Sequence, residues 1–207
     1  MQESQLKLYA YTFRTRAERV IWALQELQLP FELIRLDPMK GETRDADFLK
    51  LNSTAKVPVL LHGEQVFTES LAIMEYVNTL SNHIDLVPQD AMPQYKYRQL
   101  MYYLLSEVES YLWVAEQASR LKRFYPWPGG TYEECMSRVS KGLTTVFEQV
   151  SGQTFAIEGQ FSLADIYIYQ VISWAHSQGV EIPDAVIPYM SGLEKRSAFP
   201  EIMLWKR

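Results

Sequence analysis

The apolar positions change their period along the chain, and that change divides it in two. Leu6-Lys7-Leu8-Tyr9-Ala10-Tyr11 alternates in side-chain character and is rich in strand formers, which predicts a strand. From Thr15 to about Gln28, Val20, Ala23, Leu24 and Leu27 recur at helical spacing, and Pro30 ends the pattern. Phe31 to Leu36 reads as a second strand, so the unit is strand–helix–strand, with parallel pairing and a right-handed crossover. A short helix is expected from Asp45 to Leu51. Val57-Pro58-Val59-Leu60-Leu61 and Gln65-Val66-Phe67 then flank His62-Gly63-Glu64 as a hairpin. A helix from Glu69 to about Leu80 completes the order βαβαββα.

No strand pattern recurs beyond this point. The proline-containing polar stretch up to Pro93 reads as a connection, giving a first domain over 1–82, a linker over 83–93 and an all-helical second domain over 94–207. A long helix is predicted from Gln94 to about Arg123, carrying Leu100, Leu104, Val108 and Leu112, with Pro126-Trp127-Pro128-Gly129-Gly130 as its break. Tyr132 to Val150 forms the next helix, Ser162-Leu163-Ala164-Asp165 opens another, and Pro183, Pro188 and Pro200 punctuate short terminal helices.

Composition narrows the function classes. With 207 residues and 47% apolar positions, the chain can bury a sizeable core. A formal net charge of −5 with scattered Lys and Arg offers no positive field for nucleic acid or anionic lipid, so neither is expected as a partner. Met1-Gln2-Glu3-Ser4 is unlike a signal peptide, and no apolar run reaches the ~18 residues that span a bilayer; a cytoplasmic protein is expected. Cys135 is the only cysteine, which excludes an intrachain disulfide, and the dispersed His62, His83 and His176 argue against a metal site.

Three motifs sharpen this. Asn52-Ser53-Thr54-Ala55-Lys56-Val57-Pro58-Val59-Leu60 resembles the Asn-Pro-x-x-x-Val-Pro-x-Leu segment of cytosolic glutathione S-transferases, with Ser53 in place of the first proline. Thr68-Glu69-Ser70-Leu71-Ala72-Ile73 resembles their Glu-Ser-x-Ala-Ile, and Phe161-Ser162-Leu163-Ala164-Asp165-Ile166 their Ser-x-Ala-Asp-Ile. Order and spacing agree over nearly the whole chain, most closely with zeta-like or other bacterial-type classes. The resemblance implies a thioredoxin-like α/β domain followed by a helical bundle, glutathione as co-substrate without a metal, a hydrophobic electrophile as second substrate, a homodimer and a role in detoxification.

It also implies a site. A cis Val57-Pro58 bond would leave the Val57 N–H and C=O unpaired at a strand edge, where the cysteinyl part of an extended tripeptide can add as a strand fragment; a plain edge proline is the alternative. Glu69 and Ser70 stand at a helix N-terminus, which favours the carboxylate of a γ-glutamyl group, with Glu69 balancing its ammonium; otherwise these residues cap the helix, with Thr68 as N-cap. Lys56 faces the glycyl carboxylate or is an ordinary exposed lysine. Ser162 and Asp165 form a capping box, with Phe161 stapled to Ile166, and carry fold rather than chemistry.

The thiol-activating position departs from the family pattern. The serine or cysteine that zeta-like classes place at the loop-to-helix junction falls on Arg14, with Thr15 next. Thr15 is the first candidate for the activating hydroxyl, and Arg14 can add positive charge beside the sulfur. With one loop residue deleted, Arg14-x-Arg16-Ala17-Glu18 resembles tyrosine-using classes and Tyr11 becomes the donor. Alternatively, Thr15 only caps the helix and Tyr11 only packs. Two rival functions follow: a glutathione-dependent isomerase or disulfide reductase, and a non-catalytic protein that keeps the fold without the thiol chemistry.

Overall fold

The computed structural model describes residues 5–12, 15–157 and 159–203. β1 (Leu6–Ala10), α1 (Ala17–Glu26) and β2 (Phe31–Arg35) form the expected parallel unit, with Leu6 opposite Phe31 and Leu8 opposite Leu33. α2 (Ala46–Leu51) sends Phe48 into the core, its ring 5.9 Å from that of Tyr9. β3 (Val59–His62) runs antiparallel to β1, and β4 (Gln65–Phe67) antiparallel to β3, giving the sheet order β2-β1-β3-β4. α3 (Ser70–Asn78) packs on α1. Leu8, Ala10, Val59 and Leu60 are fully buried, as is Trp22 on α1.

Two helix starts differ from the sequence reading. α1 begins at Ala17 rather than Thr15, because the Thr15 hydroxyl is bound to the preceding loop. α3 begins at Ser70, and its N-cap is Glu69, not Thr68; the Glu69 carbonyl accepts from Ile73 N–H at 2.9 Å.

The chain falls into two units. One runs to Val87 and takes back the described residues from Arg196 onward; the other covers Pro88–Lys195. The return has a physical cause. Arg196 makes a two-pronged pair with Glu26 on α1, Nε to Oε1 at 2.7 Å and Nη2 to Oε2 at 2.8 Å. Trp22 Nε1 donates to the same Oε1 at 2.9 Å, and Phe199 meets the Trp22 ring edge-on at 4.8 Å.

The helical unit consists of α4 (Ala91–Tyr103), a π-helical stretch Leu104–Glu109, α5 (Ser110–Ala118), α6 (Thr131–Val150), α7 (Leu163–Ser177) and α8 (Ile187–Glu194). The expected helix from Gln94 to Arg123 therefore starts earlier, ends earlier and contains a wider turn. Pro93 falls in the first turn of α4, where its missing N–H costs nothing. The π stretch lies where α6 approaches closely: the Tyr103 hydroxyl donates to the Gly142 carbonyl at 3.2 Å, and a Cβ on Gly142 would sit 2.7 Å from the Glu107 carbonyl oxygen. α7 is buried on every side over Leu163–Ile172, as expected for the central helix of a bundle.

Its start is held by Asp165, which is fully buried. One carboxylate oxygen accepts from the Ala156 N–H at 2.7 Å and the Tyr189 hydroxyl at 2.8 Å, the other from the Ser162 N–H at 2.8 Å and the Ser162 hydroxyl at 3.1 Å. Burial pushes the Asp165 carboxyl above its ordinary range while these four donors pull it back. Burial, and then the adjacent Asp165 charge, hold the Tyr189 phenol well above its usual value, so it remains a donor. Cys135 lies buried in α6, its thiol pushed up first by burial and then by the Glu134 charge, which suits a packing residue and not a nucleophile.

Candidate functional site

Sheet register gathers the motifs of the first unit at one end of the sheet. Tyr9 pairs with Val59 across the antiparallel β1–β3 ladder, so continuing that register sets Tyr11 level with Val57. Phe67 pairs with Leu60 across β3–β4, and the same step sets Glu69 level with Pro58. Each pair lies two residues beyond the last paired rung, about 7 Å along the strands. The loop after β1, the segment entering β3 and the N-terminus of α3 therefore converge beyond the carboxyl end of the parallel strands, the usual place for ligands on open α/β sheets.

The entry to β3 is shaped by a local network. Asn52 Nδ2 donates to the Lys56 carbonyl at 2.9 Å, while Asn52 Oδ1 accepts from the Thr54 N–H at 3.1 Å and its hydroxyl at 2.8 Å. Ala55 sits at φ 56 within this turn. The Val57-Pro58 bond is cis. β4 ends at Phe67, so the strand edge beside Val57 is open to an added extended segment, and among the described residues the Val57 N–H and C=O have no backbone partner. Lys56 is exposed at the same edge.

Glu69 is exposed and takes φ 65, ψ 106, a backbone conformation costing a non-glycine residue about 1–3 kcal/mol. That conformation is the turn from which α3 starts at Ser70. Ser70 is only 4% exposed, and its Oγ accepts from two nitrogens of Arg19, Nε at 3.0 Å and Nη2 at 2.7 Å. Sequence reasoning did not assign Arg19 to the site. Its signal was a charged residue directly before Val20 within the apolar pattern of α1, and only the packing of α1 on α3 reveals its partner.

In the loop between β1 and α1 the Thr15 hydroxyl is already engaged. The Thr15 hydroxyl donates to the Tyr11 carbonyl and accepts, at 3.3 Å, from the Ala17 N–H. It closes the turn that starts α1, and a sulfur would have to compete with the Tyr11 carbonyl for its proton. Tyr11 is half-buried. Arg14, the other candidate in this loop, lies outside the described residues. No cluster of three or more His, Cys, Asp or Glu able to hold a metal occurs among the described residues, and no helix there is long and apolar enough to cross a membrane.

A thioredoxin-like sheet unit with a cis proline ahead of β3, joined to a helical unit, defines the class of thioredoxin-fold proteins that carry a helical second domain. Two family models match the chain, "Glutathione S-transferase, N-terminal domain" over residues 4–79 and "Glutathione S-transferase, C-terminal domain" over residues 128–207. The chain belongs to the glutathione S-transferase family. It is 28% identical to glutathione S-transferase 1 of Dianthus caryophyllus, over 88% of this chain and 83% of that protein. It is 35% identical to glutathione S-transferase Z1 of Arabidopsis thaliana, over 52% of this chain and about half, 48%, of that protein's length. Among solved structures, a glutathione transferase homologue from sulfitobacter with bound glutathione superposes with a TM-score of 0.77 at 26% identity, covering 95% of each chain.

Proposed function

We propose that this protein binds glutathione at the end of the sheet formed by Val57, Pro58, Glu69 and Ser70, ionises its thiol, and adds the sulfur to a hydrophobic electrophile. The observation that carries the reading is the convergence of an open Val57 edge with the α3 N-terminus in a chain of this family. The cysteinyl backbone pairs with the Val57 N–H and C=O as an added strand. The γ-glutamyl carboxylate accepts from the Ser70 amide and hydroxyl, Glu69 balances the ammonium, and Lys56 meets the glycyl carboxylate.

Catalysis needs the thiolate. A free thiol near pKa ~8.5 is mostly protonated at neutral pH, and lowering it by about two units takes roughly 2.7 kcal/mol. One hydrogen bond to a charged sulfur supplies about 1.5–3 kcal/mol, so one donor suffices. We assign that donor to the Tyr11 phenol ahead of Thr15, since the Thr15 proton already goes to the Tyr11 carbonyl. The S–C bond then forms as a leaving group departs with its electron pair, or across an activated double bond with a proton taken from water.

Two measurements test this reading. Calorimetry is expected to give a glutathione complex that Glu69→Ala weakens by about ten-fold, in line with the loss of one charge-assisted contact; absence of binding to the unmodified protein overturns the reading. Titrating the ultraviolet absorbance of the bound thiolate is expected to place its pKa below that of free glutathione, with Tyr11→Phe raising it and Thr15→Val leaving it in place. The engaged Thr15 hydroxyl also supports a second reading, a glutathione-binding protein without transferase chemistry, and a bound thiol no more acidic than free glutathione selects it.

A homodimer is part of the same proposal. Met92, Tyr95 and Tyr102 lie on one face of α4 and are 63%, 57% and 67% exposed, and Leu105 in the π stretch extends the stripe. Light scattering is expected to give twice the 24.1 kDa chain mass, falling toward the single chain in a Tyr95→Glu, Tyr102→Glu variant. We place the protein in the cytoplasm, where glutathione is kept reduced and a lone cysteine is ordinary.

A further inference from the structure

Arg19 occupies the acceptor side of the Ser70 hydroxyl, which leaves the proton to be donated elsewhere. A serine hydroxyl has one proton and two lone pairs. In this structure the oxygen receives two guanidinium N–H groups from Arg19, itself 2% exposed. A guanidinium never accepts, so the Ser70 proton is turned away from α1. A hydroxyl that accepts from a cation is also polarised into a better donor, the more so in a buried setting.

We propose that Arg19 is a positioning residue for glutathione: through Ser70 it presents a polarised hydroxyl proton, backed by a buried positive charge, to the α-carboxylate of the γ-glutamyl group. The inference rests on the reading of Ser70 as the carboxylate's partner. It concerns one ligand group, which separates it from a merely structural tie between α1 and α3: a tie would support every part of the bound tripeptide alike, whereas a positioning role is lost only when the carboxylate is present to be bound.

The test is calorimetry on the full chain with two ligands, glutathione and 4-aminobutyryl-cysteinylglycine, which is the same tripeptide without the α-carboxylate. The unmodified protein is expected to prefer glutathione by roughly ten-fold or more. Arg19→Met and Arg19→Lys are each expected to weaken glutathione by about ten-fold and the analogue by less than about two-fold, because a hydrogen bond to a charged group is lost only in the first case. Arg19→Met in a Ser70→Ala background should cost nothing more for glutathione. If Arg19→Met does not fold, Arg19→Lys, which keeps a charge but not the fork, carries the comparison. Equal binding of both ligands by the unmodified protein would refute the carboxylate role of Ser70 itself. Discrimination that survives unchanged in the Arg19 variants, or an equal loss for both ligands, would overturn the role of Arg19 alone.

Discussion

Asp165→Asn is expected to destabilise the protein by about 2–3 kcal/mol and Asp165→Ala by about 4–5 kcal/mol, each buried donor left unpaired costing about 1–3 kcal/mol. The carboxylate serves two donors at each oxygen. An asparagine can turn its oxygen toward the Ala156 N–H and Tyr189 hydroxyl, and the Ser162 hydroxyl can rotate to accept from the new amide. Only the Ser162 N–H is then left facing a donor. Alanine strands all of these groups at once and loses the capping box at the start of α7. At roughly 2–4 °C per kcal/mol for a chain of this size, the asparagine variant should melt some 4–12 °C lower and the alanine variant lower still. A shift under about 1 kcal/mol in denaturant unfolding for Asp165→Ala would show that the buried donors find other partners.

Gly142→Val is the second large effect. A Cβ at this position would lie 2.7 Å from the Glu107 carbonyl oxygen and 2.9 Å from Val108 Cγ2. The first is backbone and cannot swing aside, so α6 must move away from the π stretch. Overpacking of this kind costs about 1–3 kcal/mol, and a branched valine brings two further carbons into the same space. Gly142→Ala is the sharper comparison. Replacing a helix-interior glycine by alanine ordinarily gains up to about 1 kcal/mol; here the contact should reverse the sign, leaving alanine neutral to destabilising and valine at about 3 kcal/mol. Urea unfolding of both variants checks it, and a stabilised alanine variant would mean that the two helices part without cost.

What the sequence conveyed and what it withheld divide along the range of the forces involved. The alternation from Leu6 to Tyr11, the helical spacing of Val20, Ala23 and Leu24, and the Ser162–Asp165 capping pattern act within a few residues, and the corresponding elements formed, β1 one residue shorter and α1 shorter at both ends. The π stretch Leu104–Glu109 has no local signature, because it occurs where Gly142, distant in sequence, lets α6 approach. The start of α1 shifted for a similar reason on a smaller scale: nothing in the residue types announces that the Thr15 hydroxyl will be drawn back to the Tyr11 carbonyl. Of the proposed site residues, Val57, Pro58, Glu69 and Ser70 come from motif spacing, whereas the role of Arg19 depends on Ser70, which α3 brings to it from fifty-one residues away. A buried polar pair spanning two elements is the information that a linear pattern does not hold.

The pairing of Arg196 with Glu26 and of Phe199 with Trp22 bears on the order in which the chain matures. Domains assemble from the amino end as synthesis proceeds. Here the first unit recruits residues made after the whole helical unit, so until Arg196 emerges Glu26 has Trp22 as its neighbour without the counter-charge that neutralises it. The sheet unit is thus completed last although it is begun first.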